Sequence, residues 1–235
     1  MEFNRKRSQI LNGLKNKLIV SCQALDNEPL YGSDVMAKMA VAAQKGGASG
    51  IRANSVNDIL AIKEKVDLAL IGIIKRDYDN SPCYITATME EVDSLVLEAH
   101  PEIVAVDATN RIHPSGLNGS EFIKAIKQRY PNVILMADIS TYEEGVEAEA
   151  AGADIVSTTL SGYTEDSSTV EGPDFILMQR LVKGLSVPII GEGRIWTPDD
   201  MNQALGLGVH SVVVGSVITR PMEITKYFIS NLKTN

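Results

Sequence analysis

Aromatic residues are scarce in this sequence: phenylalanine, tyrosine and tryptophan together make up 5 %. An interior built from it must be aliphatic. Cysteine occurs only twice, as Cys22 and Cys83, too few for a disulfide framework and without metal-ligand spacing. Basic charge is in deficit, with 22 Lys+Arg against 30 Asp+Glu for a net −8. That balance argues against nucleic acid or an acidic membrane surface as a partner. The first 17 residues oppose it, because Arg5, Lys6, Arg7, Lys15 and Lys17 against Glu2 leave them at +4 and the remainder at −12. No continuous apolar stretch follows them as a signal peptide would require, and no run approaches the roughly 18 apolar residues of a membrane span. The expectation is a cytoplasmic protein with no membrane partner.

What the sequence has is a 44 % apolar composition with 22 % charged residues over 235 positions, which excludes disorder and supplies a sizeable core. Apolar, β-branched runs recur at 17–23, 48–53, 68–75, 103–108, 133–139, 153–159, 187–192 and 211–217. Continuous runs of this kind mark strands buried on both faces, as in a parallel sheet. Helical stretches separate them at about 33–46, 55–65, 89–99, 119–130, 141–151, 174–184, 198–207 and 221–232. Thr197-Pro198-Asp199-Asp200 combines an N-cap, a proline at the first helical position and two early acids. Ile10, Leu11 and Leu14 form one stripe of a leading amphipathic helix. Eight strand–helix units of about 29 residues predict an α/β fold, a single (β/α)8 TIM barrel spanning 1–235, with an N-terminal helix over 1–16 capping the bottom. A doubly wound open sheet is the rival, but it calls for a Gly-rich loop after the first strand, and none follows Cys22-Gln23.

The predicted strands stay apolar until their last residues. There they end in Gln23, Arg52, Lys75, Asp107, Asp138, Thr158-Thr159, Glu192 and Gly215-Ser216. A barrel gathers these ends at the C-terminal face, where such folds place their sites. Charges in that number are not a packing requirement, since unpaired charge near a barrel mouth costs stability. The glycines of Gly191-Glu192-Gly193-Arg194 and Gly215-Ser216, followed by Thr219-Arg220-Pro221, predict a phosphate cup between the last two loops. Lys75 follows the apolar run Ile71-Gly72-Ile73-Ile74, with Arg52 and Arg76 as nearby cations. Both features disfavour its ammonium form and suit it to act as a base, with Glu192 as the second acid/base group. Asp138 is expected to hold the lysine in place or to bind substrate hydroxyls.

The histidines look peripheral. His100 sits at a helix C-terminus, His210 precedes the last strand on the opposite face, and His113 is expected to be a rim contact in a loop. The Cys22 side chain should point away from the lumen, as a buried structural thiol.

From end to end the chain resembles the N-acylglucosamine-6-phosphate 2-epimerases, the N-acetylmannosamine 6-phosphate epimerases of bacterial sialic-acid catabolism. The resemblance rests on Ser21-Cys22-Gln23, Gly50-Ile51-Arg52-Ala53, Lys75, Val106-Asp107-Ala108-Thr109 and Met136-Ala137-Asp138-Ile139-Ser140-Thr141. It continues through Thr158-Thr159-Leu160-Ser161-Gly162-Tyr163-Thr164, Glu171-Gly172-Pro173-Asp174, Gly191-Glu192-Gly193-Arg194 and Val214-Gly215-Ser216 to Arg220-Pro221. It implies interconversion of two phosphosugars, N-acetylmannosamine 6-phosphate and N-acetylglucosamine 6-phosphate, with no cofactor and no metal. By position, Lys75 and Glu192 would be the acid/base pair. Gln23, Arg52, Asp138 and Thr159 would bind substrate, and Gly193, Gly215, Ser216 and Arg220 would hold the phosphate. The match is weakest over 111–116, where relatives more often carry a second basic residue, so His113 is left out of the site. The resemblance also implies a homodimer. Rival readings are a Schiff-base aldolase through Lys75, a flavin-dependent barrel oxidoreductase, and a catalytically inactive phosphosugar-binding regulator.

Overall fold

The structure, a computed structural model, describes residues 2–167 and 169–232; Met1, Ser168 and residues 233–235 of the expected 1–235 span lie outside it. Eight parallel strands pair in chain order and close into a barrel. They are β1 (Leu18–Cys22), β2 (Gly50–Asn54), β3 (Ala69–Ile73), β4 (Ile103–Asp107), β5 (Leu135–Asp138), β6 (Ile155–Ser157), β7 (Ile189–Glu192) and β8 (Ser211–Val214). Helix α1 (Glu2–Leu14) precedes β1. Outer helices α2 (Ser33–Lys45), α3 (Val56–Lys63), α4 (Met89–Ser94), α5 (Gly119–Arg129), α6 (Tyr142–Ala151), α7 (Phe175–Gly184) and α8 (Pro198–Gly206) follow β1 to β7 in turn, and α4 runs on into a π-helical turn, Leu95–Ala99. After β8 come a single helical turn, α9 (Ser216–Thr219), and α10 (Pro221–Ser230).

Local sequence explains where the helices start. Thr88, Asn118, Thr141 and Thr197 each accept from the backbone N–H three residues on, and Glu91, Glu121, Glu144 and Asp200 return the bond to the cap residue. Gly152 ends α6 in the left-handed region at φ 105°, a conformation that favours glycine.

Two aliphatic layers follow from the period-two alternation of strands. Ile19, Ile71, Ile73, Ile103, Ala105, Met136, Ile155, Ile190 and Val213 fill the lumen. Val20, Cys22, Ile51, Ala53, Leu70, Val104, Val106, Leu135, Ala137, Val156, Val212 and Val214 face the helices. Cys22 is thus buried away from the lumen, as its neighbour Gln23 predicts. Each fully buried large aliphatic contributes about 1.5–3 kcal/mol. Leu14 reaches the lumen from α1 with Phe3, Ile10 and Leu11 packed behind it, so α1 stoppers the bottom as expected. His210 serves that closure, with Nε2 2.8 Å from the Leu11 carbonyl.

The expected strands overrun the observed ones, as at 153–159 against Ile155–Ser157, and the last runs on into a helix. The β-branched run 211–217 reads as strand throughout, but the strand ends at Val214. Ile218 and Thr219 return their N–H groups to the Gly215 carbonyl at 2.9 and 3.0 Å, and the Thr219 hydroxyl donates to Ser21 O at 2.7 Å. Local bonds to Gly215 and a tie to β1 override strand propensity there.

Candidate active site

The inward alternation that stacks aliphatics in the lumen continues, one step higher, into polar residues. Ile19 is succeeded by Ser21 and Gln23, Ile73 by Lys75, Ile155 by Ser157 and Thr159, Ile190 by Glu192, and Val213 by Gly215. They open onto a cavity of about 370 Å³ at the C-terminal ends of the strands. Nine of the ten residues expected from the sequence line it: Gln23, Arg52, Lys75, Thr159, Glu192, Gly193, Gly215, Ser216 and Arg220. Asp138 is the exception. It is fully buried, bonded to Arg52 and Thr159, and outside the cavity lining, so its hydrogen bonds reach the cavity through those two side chains.

Arg52 organises the floor. Its guanidinium donates to Asp138 through Nη1 at 3.0 Å and Nη2 at 2.5 Å, and Nη1 also reaches Glu192 Oε2 at 2.9 Å. Thr159 Oγ1 stands 2.7 Å from Asp138 Oδ1, 3.1 Å from Glu192 Oε2 and 2.9 Å from Ser157 Oγ. Burial opposes the guanidinium charge, but Asp138 and Glu192 more than offset it, and Arg52 stays a fixed cation. Burial raises the Glu192 carboxyl above the usual carboxylate range; Arg52 opposes this and the Asp138 charge adds to it. Oε2 of Glu192 is held in this network, and Oε1 has no protein partner among the described residues.

Lys75 lies two residues past β3, its N–H fixed by Asn54 Oδ1 at 2.8 Å. Burial and then the Arg52 cation bring its amine down to about 8, with Glu192 pulling the other way and Arg220 adding to the decrease. Among the described residues Lys75 makes no ion pair. It is a cavity-facing amine whose ammonium form is disfavoured, though still predominant at pH 7.

The far end of the cavity suits an oxyanion. Gly215 and Ser216 begin α9, Gly193 has φ +110°, and Arg220 points in from the start of α10. Gln23 donates Nε2 to Ser21 Oγ at 2.7 Å, while its Oε1 is buried without a partner. An orphaned buried acceptor in a cavity wall marks a place where a ligand donor fits.

Several lining residues escaped the sequence reading. Glu28 forms an ion pair with Arg220, its Oε2 3.1 Å from Nε. Arg194 braces the mouth by donating to Gly172 O at 2.6 Å and Ser161 O at 2.8 Å. Gly162 has φ +82°, a conformation that favours glycine, and a Cβ there would also displace the Arg194 guanidinium. Tyr84, Tyr163 and Trp196 supply aromatic walls, and Trp196 stacks on Tyr227 of α10 at 4.8 Å. Arg194 follows a glycine pair that was legible; the others sit on loops without periodicity. His113 is not the rim contact expected: it is 1 % exposed, against Phe122. Asp107, expected in the ring of strand ends, is turned to Thr109 and Arg111 and does not line the cavity.

Comparison with known proteins agrees with this geometry. The profile of the family described as "Putative N-acetylmannosamine-6-phosphate epimerase" matches residues 36–234. Two relatives named "Putative N-acetylmannosamine-6-phosphate 2-epimerase" are similar over nearly the full length. The one from Caldanaerobacter subterraneus subsp. tengcongensis is 56 % identical, covering 95 % of this chain and 94 % of the relative. That from Clostridioides difficile is 53 % identical, covering 96 % and 100 %. The solved structure of the N-acetylmannosamine-6-phosphate 2-epimerase from Clostridium perfringens superposes with a TM-score of 0.90 at 53 % identity, covering 94 % of this chain and 96 % of that one. Thiamine phosphate pyrophosphorylase from Pyrococcus furiosus, 20 % identical with a TM-score of 0.60 over 92 % of each chain, shares the fold.

Proposed function

With the chain a member of the N-acetylmannosamine-6-phosphate epimerase family, we propose that it inverts C2 of N-acetylmannosamine 6-phosphate to give N-acetylglucosamine 6-phosphate, a step of sialic-acid breakdown. The observation that carries the reading is one cavity with a lysine of lowered pKa, a carboxyl of raised pKa and an oxyanion end.

The C2 proton is acidic only while C1 is an open-chain aldehyde. Glu192 Oε1 takes the proton of the C1 hydroxyl as the ring C–O bond breaks and passes it to the departing ring oxygen, so the carboxylate ends as it began. The neutral Lys75 amine then removes the C2 proton, and the electron pair moves through C1 onto its oxygen. The resulting charge is stabilised by the new Lys75 ammonium and the fixed Arg52 cation. A solvent-derived proton reaches C2 on the opposite face, the Lys75 ammonium returns its proton to solvent, and ring closure completes the inversion. The oxidation state is unchanged, so the chemistry needs no redox cofactor.

Asp138 acts through Arg52, and Thr159 holds the two carboxyl groups in register. Gly193, Gly215, Ser216 and Arg220 take the phosphate, while Gln23 Oε1 accepts from a substrate donor. A homodimer is supported by α10, where Tyr227, Phe228 and Ile229 stand 50 %, 68 % and 62 % exposed. No helix among the described residues is long and apolar enough to cross a membrane, and a cytoplasmic phosphosugar pathway is the setting this reading implies.

The test offers N-acetylmannosamine 6-phosphate and its unphosphorylated counterpart to the purified protein and separates the epimers. Conversion of the phosphorylated sugar alone is expected. No conversion, or equal conversion of both, contradicts the reading.

A further inference from the structure

Cys83 is on the segment after β3, while Asp107 ends β4 and His113 follows it on the segment before α5. The pairing of β3 with β4 brings the three together. Each is at most 1 % exposed, and one ligating atom from each lies within 4.8 Å of the other two. Cys83 is a free thiol.

The environment has prepared these atoms unequally: burial and the Asp107 charge push the Cys83 thiol up to about 12, so its thiolate needs a bound cation, while His113 is already oriented. His113 Nδ1 is 2.9 Å from the Ala87 carbonyl, so it carries the ring proton and Nε2 carries a lone pair. That Nε2 is buried and has no partner among the described residues. Anchoring one ring nitrogen on a backbone carbonyl is how proteins orient a metal-binding imidazole. Asp107 Oδ1 accepts from Thr109 N at 3.1 Å and Thr109 Oγ1 at 2.7 Å, and Oδ2 accepts from Arg111 Nη2 at 2.5 Å. A carboxylate has about four lone-pair positions, and the fourth faces the Cys83 thiol, whose hydrogen bond to Asp107 is given up when the S–H proton leaves.

We propose that Cys83 Sγ, the Asp107 carboxylate and His113 Nε2 form a binding site for one divalent cation of the zinc class. A mixed sulfur, nitrogen and oxygen donor set suits that borderline-soft ion. As the metal–sulfur bond forms, the S–H bond breaks and its proton leaves to solvent. Thiolate and carboxylate then balance the two positive charges once Arg111 turns from Asp107 towards solvent, and water completes the tetrahedron. Arg111, whose side chain is 16 % exposed, covers the site and lies over the Tyr84 ring at 5.9 Å; its swing is the entry path. Tyr84 and Ile85 line the active-site cavity next to Cys83. An occupied site ties their segment to β4, so its role is to set the shape of the cavity wall, outside the reaction steps. The inference does not depend on the proposed activity.

Cobalt(II) titration of the chelator-treated full-length protein tests it directly. One equivalent per chain should produce a thiolate-to-cobalt charge-transfer band that one equivalent of zinc removes. Cys83→Ser should abolish the band, and His113→Gln should weaken cobalt binding by about tenfold or more. X-ray absorption on the zinc-loaded wild-type protein needs no variant and should show one sulfur among nitrogen and oxygen ligands. A folded wild-type protein without the band, a band that survives Cys83→Ser, or a zinc shell lacking sulfur would overturn the proposal.

Discussion

Arg52 grips both oxygens of Asp138, at 3.0 and 2.5 Å, where neither side chain exceeds 1 % exposure. This fork fixes the plane of the guanidinium, and the same Nη1 then meets Glu192 at 2.9 Å. The cation that lowers Lys75 and anchors Glu192 is therefore placed by a residue outside the cavity lining.

Removing that partner should cost both stability and turnover. Asp138→Ala leaves the buried guanidinium with Glu192 as its one remaining carboxylate, and a broken buried pair of this kind costs about 3–5 kcal/mol. Urea unfolding should register that loss. Turnover should fall with little change in KM, because in the proposed reaction Asp138 acts by positioning Arg52 beside Lys75 and Glu192.

Lys75 should be a stability liability at neutral pH. Its folded-state pKa of about 8 lies below the ordinary 10.5, so the ammonium is disfavoured in the fold. The penalty is full below about pH 8, fades between 8 and 10.5, and is gone above. Lys75→Met carries none of it and should be more stable by about 2–3 kcal/mol at pH 7 while inactive. Urea midpoints for the two proteins should converge as the pH rises towards 10.5.

The same amine predicts the pH–rate profile. Proton abstraction requires neutral Lys75, so kcat/KM for the phosphosugar should rise with pH through about 8 and level off above. The second ionisation of a phosphate monoester falls near pH 6, well separated from this limb. Steady-state rates from pH 6 to 9.5 would check it; a flat profile across pH 8 contradicts the base assignment.

Arg220 is expected to work mainly in binding. It enters the oxyanion end of the cavity and is steadied by Glu28. Arg220→Ala should raise KM for the phosphorylated sugar by about tenfold to a hundredfold, the worth of a charged hydrogen bond, and leave kcat close to wild type. Steady-state kinetics separates the two parameters.

The barrel and the gathering of Lys75, Glu192 and Arg52 at one cavity were legible because both follow from one pattern: apolar, β-branched runs that turn polar at their last inward position. Lys75, Glu192 and Arg52 break that pattern conspicuously. The burial of Asp138 was not legible, since an aspartate at a strand end reads the same whether it faces a ligand or an arginine beneath it. Helix α9 was hidden because Val217 and Ile218 prolong the apolar run of β8, and only the bonds back to Gly215 and Ser21 reveal the turn. Glu28 and Arg220 lie at opposite ends of the chain, and nothing in either segment announces their pairing. Cys83, Asp107 and His113 have no motif spacing, so only the pairing of β3 with β4 makes them neighbours.

Proton NMR in deuterated water tests the central claim, that Lys75 carries the C2 proton. Wild-type protein given N-acetylmannosamine 6-phosphate should yield the gluco epimer with deuterium at C2, and folded Lys75→Ala should produce neither epimer nor exchange. Near-normal epimerisation and C2 exchange by folded Lys75→Ala would contradict the account.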